Sequence, residues 1–357
     1  MNHDNTPRFN RRQTLLALVG TALLPACGGG SDFASVSSGG TGSFTSGVIV
    51  GLGSIIVNGI RYDDSQARVI FDDGPGSTDD LQLGMVVRVR GSSVTPAASI
   101  GALATATATD IVCGSEWKGQ VDSVDVANGT FTLFGLTVRV QSSTVFEDGT
   151  FDGSLAGRYV EVYGFIDLQG GVLSLTATRV EVESSMPVSY RLSGVVSNLT
   201  ATTFQLGSVI IDHASASKPL NLQNGQLVEV RLQTTPSAGG AWVATEVDIE
   251  DFSDDLDDDD EAEIEGTITS FTDNTRFSVN GIPVDASGVA VPSGLALGVR
   301  VEVEGVIRDG VVIASEVELD DDDDDDYFEF YGQVSELDTV AMTFVVRGYV
   351  VRYNGQT

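Results

Sequence analysis

The chain is short of three things that chemistry usually draws on. Lys and Arg together number 19 against 51 Asp and Glu, a formal net charge of −32. Nucleic-acid binding rests on Lys and Arg neutralising phosphates, so nucleic acid is not an expected partner. Direct adhesion to an anionic lipid surface is disfavoured for the same reason. There are only two His and two Cys. Once residues 1–26 are set aside as an export signal, His213 is the one histidine left and Cys113 the one free thiol. Histidine metal sites and Ser-His-Asp triads lack their parts. Long apolar runs are missing too. Thr14–Leu24 falls short of the roughly 20 residues a membrane-spanning helix needs.

Glycine is abundant, with 41 residues, and 41% of the chain is hydrophobic. That composition suits short strands joined by tight turns and is too apolar for disorder. The organising stretch is Leu295–Gly305, in which Gly298, Val301-Glu302-Val303 and Gly305 form a frame. The frame occurs three more times: Gly84, Val87-Arg88-Val89, Gly91; then Gly157, Val160-Glu161-Val162, Gly164; then Gly225, Val228-Glu229-Val230, closed by Leu232. Alternating valines with charges between them describe a strand with one buried and one wet face. Four copies in one register make a tandem array of small β modules.

The array reads as repeat 1 over 47–113, repeat 2 over 116–183, repeat 3 over 188–250 and repeat 4 over 262–319, with acidic linkers at 251–261 and 320–326. Residues 327–357 begin a fifth copy. Gly348–Thr357 repeats the layout of Gly135–Thr144 and stops before two further strands, so the expectation is a piece of a longer protein, or a remnant that pairs with something else. Val57-Asn58-Gly59-Ile60 and Phe277-Ser278-Val279-Asn280-Gly281 are hairpin signals, because Asn-Gly accepts a type I′ turn. Five short strands per unit, with a longer link before the fourth, predict an all-β chain of tandem five-stranded OB-like barrels. A five-stranded sandwich is the alternative, since spacing alone does not decide closure.

The amino terminus is an address. Arg8, Arg11 and Arg12 precede the apolar run, and Leu24-Pro25-Ala26-Cys27 follows it. This ending resembles the bacterial lipobox, which implies lipidation at Cys27 after removal of residues 1–26. Gly28 stands where an inner-membrane retention signal carries Asp, so resemblance to known lipoproteins implies the outer membrane. Arg11-Arg12 followed by Gln13-Thr14-Leu15-Leu16 resembles a twin-arginine signal, but paired arginines also occur in ordinary signals, and the export route stays open. Residues 27–46 read as a Gly/Ser/Thr tether with a reach on the order of 25 Å.

The opening Gly-x-Val, the Phe-x-Val-x-Gly hairpin, the glycine frame and an Ala-Thr-x-Val-Glu ending resemble a bacterial family of uncharacterised repeat domains found in secreted lipoproteins. The resemblance implies a small β barrel and an envelope location, and brings no catalytic residues.

Candidate sites are acidic. Asp257, Asp258, Asp259 and Asp260 in the first run, and Asp321, Asp322, Asp323 and Asp324 in the second, could hold Ca²⁺ loosely through carboxylate oxygens. Neither run has the glycine-bent Asp-x-Asp-x-Asp-Gly loop, so a self-repelling linker is the simpler reading. Glu302 and Glu304 share the wet face of one strand, and Glu316 and Glu318 that of its expected antiparallel neighbour. Facing carboxylates repel, and a divalent ion would relieve them; a plain solvated face is the alternative. Arg88 and Arg90 stand where repeat 4 has Glu302 and Glu304, which would permit copies to associate. Drift on a solvent face is the simpler expectation. His213 reads as a surface or strand-end residue, Cys113 as a buried small side chain, and Trp117 and Trp242 as core or interface anchors.

The expected function is therefore non-enzymatic: an outer-membrane lipoprotein acting as a spacer or protein-binding scaffold, with no cofactor. A weak calcium-binding envelope protein is the alternative. A carboxylate-based hydrolase is more remote, because the outward, alternating acids name no catalytic pair.

Overall fold

A computed structural model describes residues 42–72, 74–99, 102–250, 252, 256–320, 328–330 and 332–354. In repeat 2 the strands are Trp117–Asp125, Thr130–Leu133, Leu136–Glu147, Tyr159–Asp167 and Ser174–Glu183. The first pairs with the second and fourth, the second with the third, and the fourth with the fifth, all antiparallel, while the third and fifth run parallel. This closes the barrel in the order 1-2-3-5-4-1. Repeat 3 (Tyr190–Ser197, Thr203–Leu206, Val209–Asp212, Leu227–Leu232, Trp242–Ile249) and repeat 4 (Glu261–Asp273, Arg276–Val279, Ile282–Asp285, Arg300–Arg308, Val311–Leu319) close in the same order. Repeat 1 follows that path with its first strand in two pieces, Gly42–Val48 and Gly51–Leu52. The barrel is the outcome rather than the sandwich.

The glycine frame has a structural reason at each end. Gly84, Gly157, Gly225 and Gly298 all adopt positive φ, between 79° and 89°. Each donates its N–H to the middle of its own first strand, at Ile49, Val121, Val196 or Ile268, over 2.8–2.9 Å. The left-handed turn thus starts the fourth strand in register with the first. At the closing position, register shifts fall at Arg90/Gly91, Tyr163/Gly164, Arg231/Leu232 and Glu304/Gly305. A β-bulge sits there in every copy, and a Cβ on Gly305 would lie 2.4 Å from the Ile313 carbonyl. Between these ends the frame valines, from Val87 to Val303, are almost wholly buried.

The barrels are not beads on a string. Each complete first strand bonds along its earlier half to its own fourth strand on one side only, and in the cases described below this extension pairs on its other side with the first strand of another repeat. Ser43–Ser46 run parallel to Glu261–Ile264, joining repeats 1 and 4. Trp117 and Lys118 pair antiparallel with Leu192 and Arg191, joining repeats 2 and 3. Glu329 and Phe330, from the start of the fifth copy, pair with Gly51 and Leu52 of repeat 1. Uncovered strand edges invite unwanted pairing, and here each extension covers another.

Several boundaries move as a result. The expected tether loses residues 42–46, because Gly42–Val48 is a buried strand. Within the first acidic stretch, Phe252 and Leu256 are buried in the core of repeat 4, and Glu261 opens its first strand. Asp259 N donates to Ile307 O at 2.9 Å and Ile307 N to Asp260 O at 2.9 Å. Residues 256–260 are folded against repeat 4 and do not act as a self-repelling spacer. The second stretch lies outside the described residues from Asp321 to Asp326. Separate cores fail too: the cluster of repeat 4 takes in Phe44 of repeat 1, that of repeat 1 takes in Tyr163 of repeat 2, and repeats 2 and 3 share one continuous hydrophobic cluster. Trp117 is at its centre and donates Nε1–H to Ser193 O across the two repeats at 3.0 Å. Trp242 packs edge-on against Phe134 of repeat 2, with ring centroids 5.0 Å apart.

The frame glycines also set how closely barrels approach. A Cβ on Gly298 would lie 2.7 Å from the backbone nitrogen of Gln169 in repeat 2, whereas one on Gly225 meets nothing within 4 Å. Gly225→Ala is expected to cost about 1–2 kcal/mol from left-handed strain alone. Gly298→Ala adds a clash with rigid backbone and is expected to cost roughly 3 kcal/mol or more. Urea denaturation of both variants checks the difference; equal losses would remove the docking role given to Gly298.

Candidate functional site: a buried charged junction

In repeats 1, 2 and 3 the middle residue of the Val-x-Val frame, expected to face water, faces other repeats instead. Arg88, Glu161 and Glu229 from repeats 1, 2 and 3 turn toward one central junction. Arg191, in the first strand of repeat 3, is its hub and is 4% exposed. Arg191 Nη1 lies 2.9 Å from Asp72 Oδ2 and 3.3 Å from Glu161 Oε1, and Nε lies 3.2 Å from Glu229 Oε1. Nη1 also donates to Ser115 Oγ at 2.6 Å, which donates on to Glu161 Oε1 at 2.7 Å. Lys118 Nζ reaches Glu161 at 2.6 Å and Glu183 at 3.1 Å. Arg88 stacks on the Phe252 ring, 3.7 Å from its centroid.

At the centre is a cavity of about 70 Å³ bordered by Asp72, Arg88, Glu116, Glu229 and Glu250, with Asn280 reaching it from repeat 4. That volume holds a few waters. Carboxylates outnumber cations around it. Burial pushes the Glu116 carboxyl up to about 8, with the Glu250 charge adding to it. Burial, then the Asp72 charge, pushes Glu229 up to about 8 against the pull of Arg191. Asp72 is also raised by burial, although Arg191 opposes this, and Glu250 is raised by burial against Arg88. Burial lowers Lys118, but Glu161 and Glu183 outweigh it and hold the ammonium above its ordinary value.

The expected carboxylate face on repeat 4 is present and larger than anticipated. Glu302 opposes Glu318 and Glu304 opposes Glu316. On the other side Glu265 opposes Glu302 and Glu263 opposes Glu304. Two rows of three glutamates therefore cross three neighbouring strands. Glu263 is pushed up to about 9 by burial at the seam with repeat 1, and then by the charges of Glu302 and Glu304. Burial, then Glu316 and Glu318, raises Glu304. Repeats 1 and 4 do associate, contrary to the simpler expectation. Their opposite charges do not meet as imagined: Arg90 lies 3.8 Å from Asp257, and Arg88 stacks on Phe252.

The other sequence candidates are dispersed. Asp258 Oδ1 accepts from Asp309 N at 2.5 Å, Asp259 pairs with Arg308 at 2.9 Å, and Asp260 is buried. Among the described residues no group of three His, Cys, Asp or Glu is arranged to hold a metal ion. Cys27, Asp321, Asp322, Asp323 and Asp324 lie outside the described residues. Cys113 is fully buried, and burial pushes its thiol well up. His213 does end a strand, but it is 3% exposed and so is no surface residue; Lys218 Nζ donates to its Nδ1 at 2.8 Å. The junction itself went unread. Its only sequence trace is a charge between every pair of frame valines, which looks identical on a solvated face.

With the geometry in view, comparison with known proteins adds the family. The family described as Domain of unknown function (DUF5666) matches residues 118–181, 193–248 and 265–318. Three tandem copies of that domain therefore make up this part of the chain. Those spans are repeats 2, 3 and 4; repeat 1 lies outside them and shares their strand order. No curated protein matches the chain.

The raised acids fix the sign of a pH effect. Glu116, Glu229 and Glu263 keep their protons when folded at pH values where the unfolded chain has lost them. Their contribution is full below the ordinary glutamate value and is lost as pH rises through about 8–9. The melting temperature should therefore fall from pH 5 to pH 9.5. Glu263→Gln should raise it at pH 9.5 by about 3 °C or more and change it little at pH 5. A flat profile, or an equal effect at both pH values, would contradict the assignment.

Proposed function

We propose that the protein is a non-enzymatic scaffold of the cell envelope, tethered by lipid at Cys27, that takes up a partner protein by strand addition. One observation carries this reading. The fifth copy supplies Val334–Asp338, Thr343–Val346 and Tyr349–Arg352 as a three-stranded sheet; where repeats 1–4 place a fourth and a fifth strand, its outer strands have no partner among the described residues. Exposed large apolar side chains gather there, with Val334 at 57%, Leu337 at 61%, Val340 at 92% and Val350 at 67% exposure. An open edge with exposed apolar side chains on both faces of the sheet, Val334 on one and Val350 on the other, suits an extended partner segment with alternating apolar residues. Tyr349 Oη donates to Gln82 Oε1 at 2.8 Å and so holds the sheet against repeat 1.

Joined barrels favour a binding body over an extensible spacer. The junction itself is closed to a substrate: a cavity of about 70 Å³ admits water, not a sugar or peptide. The test is affinity capture from an envelope extract with the full chain, beside a Val334→Asp, Val350→Asp variant. A protein recovered reproducibly by the first and lost with the second supports strand addition. Equal recovery by both places binding elsewhere and removes the reading.

A second reading, weak calcium binding, is favoured by the two rows of glutamates on repeat 4. Like charges directly opposite cost about 0.2–1 kcal/mol per pair, and a divalent ion with oxygen preference would relieve them. Metal must displace the proton held by Glu263, so the effect should grow with pH. Millimolar Ca²⁺ is expected to raise the melting temperature more at pH 8.5 than at pH 6, and Mg²⁺ to do so less. Identical curves in Ca²⁺ and in chelator would end this alternative.

A further inference from the structure

The cleft between repeats 2 and 4 departs from the charge of the rest of the molecule. Its volume is about 480 Å³, within the range of small-ligand sites, which favour interfaces between domains. On the repeat 2 side Arg139 Nη1 donates to Asp167 Oδ2 at 2.9 Å and to Ser174 Oγ at 2.7 Å. Facing it, Arg300 Nη2 pairs with Asp320 at 2.6 Å and with Glu265 at 2.8 Å, its guanidinium 4.5 Å above the Phe165 ring. Each guanidinium is answered by carboxylate, so the cleft is close to neutral in a chain of net charge −32. Gln141, Gln169 and Thr176 line it with groups that both donate and accept. Thr267, which also lines it, is 1% exposed, and its Oγ1 has no hydrogen-bond partner. That hydroxyl lies behind the cleft wall, out of reach of water.

This composition argues against a charged ligand of either sign. A cation would meet two guanidiniums, and an anion would meet Asp167 and Asp320. A group that donates and accepts at adjacent positions suits both, and the neighbouring hydroxyls of a sugar ring are such groups. Val299 and Leu319 add an apolar strip against which the C–H face of a ring can lie. We propose that this cleft binds a neutral mono- or disaccharide between Arg139 and Gln169 of repeat 2 and Arg300 of repeat 4. The seam that shapes it depends on Gly298, whose close approach to Leu168 and Gln169 leaves no room for a side chain.

The test titrates the full chain by calorimetry and saturation-transfer NMR with cellobiose, maltose and N,N′-diacetylchitobiose. Glucuronate, glucosamine and spermidine serve as charged comparators. Saturable binding of at least one neutral disaccharide is expected, weakened about fivefold to tenfold by Arg139→Ala and by Gln169→Ala. Both side chains are exposed, and unchanged melting of the variants shows that folding is intact. The assignment falls if no neutral disaccharide binds, if a charged comparator binds more tightly, or if both substitutions leave affinity unchanged. The fifth-copy sheet shares no residue with this cleft, so either proposal can fail alone.

Discussion

A closed five-stranded barrel of this order leaves one edge of its first strand only half used. The second strand covers the later half of that edge, and the earlier half, bonded to the fourth strand on its other side, projects there as an open edge. In this chain every such projection with described residues finds another first strand: 43–46 with 261–264, 117–118 with 191–192, and 329–330 with 51–52. Backbone N–H and C=O groups must be paired or wetted, and an open edge is a liability. Covering it with a sister repeat joins modules that are distant in sequence, repeats 1 and 4, as readily as neighbours, repeats 2 and 3.

Edge pairing alone does not say which repeat should meet which, because all four barrels offer the same backbone. The difference lies in the frame charge, which is Arg88 in repeat 1 and glutamate in the others. The arrangement gathers Arg88 and Arg191 among Asp72, Glu116, Glu161, Glu229 and Glu250. Buried ion pairs add little net stability, since desolvation offsets their attraction, but leaving a buried charge unpaired is severe. The junction therefore acts through selection: a different order of barrels would strand like charges together. The excess of acid is resolved by protons retained on Glu116 and Glu229.

The same glycine serves both the fold and the assembly. In every repeat it makes the left-handed turn that sets the fourth strand against the first. In repeats 1 and 4 the missing side chain also lets another barrel approach to contact, Thr178 against Gly84 and Gln169 against Gly298. Repeat 3 leaves its copy, Gly225, open to space. A module copied several times thus acquires different roles at one position without changing the residue there.

The period-two valines, the glycine frame and the Asn-Gly turns were enough to read the repeats, their five strands and the buried face of each. Those features are local, and local backbone geometry enforces them in every copy. The opposition of Glu302 to Glu318 and of Glu304 to Glu316 was legible for the same reason, since neighbouring strands in one small barrel leave a single register. The sequence did not disclose that 42–46 and 256–261 are built into the fold, that repeats 2 and 3 share a core, or that Arg88, Glu161 and Glu229 leave the solvent. A charged residue between two valines looks the same whether water or another barrel lies above it. Only the pairing of edges far apart in the chain decides which, because burial belongs to the assembled surface and not to the strand.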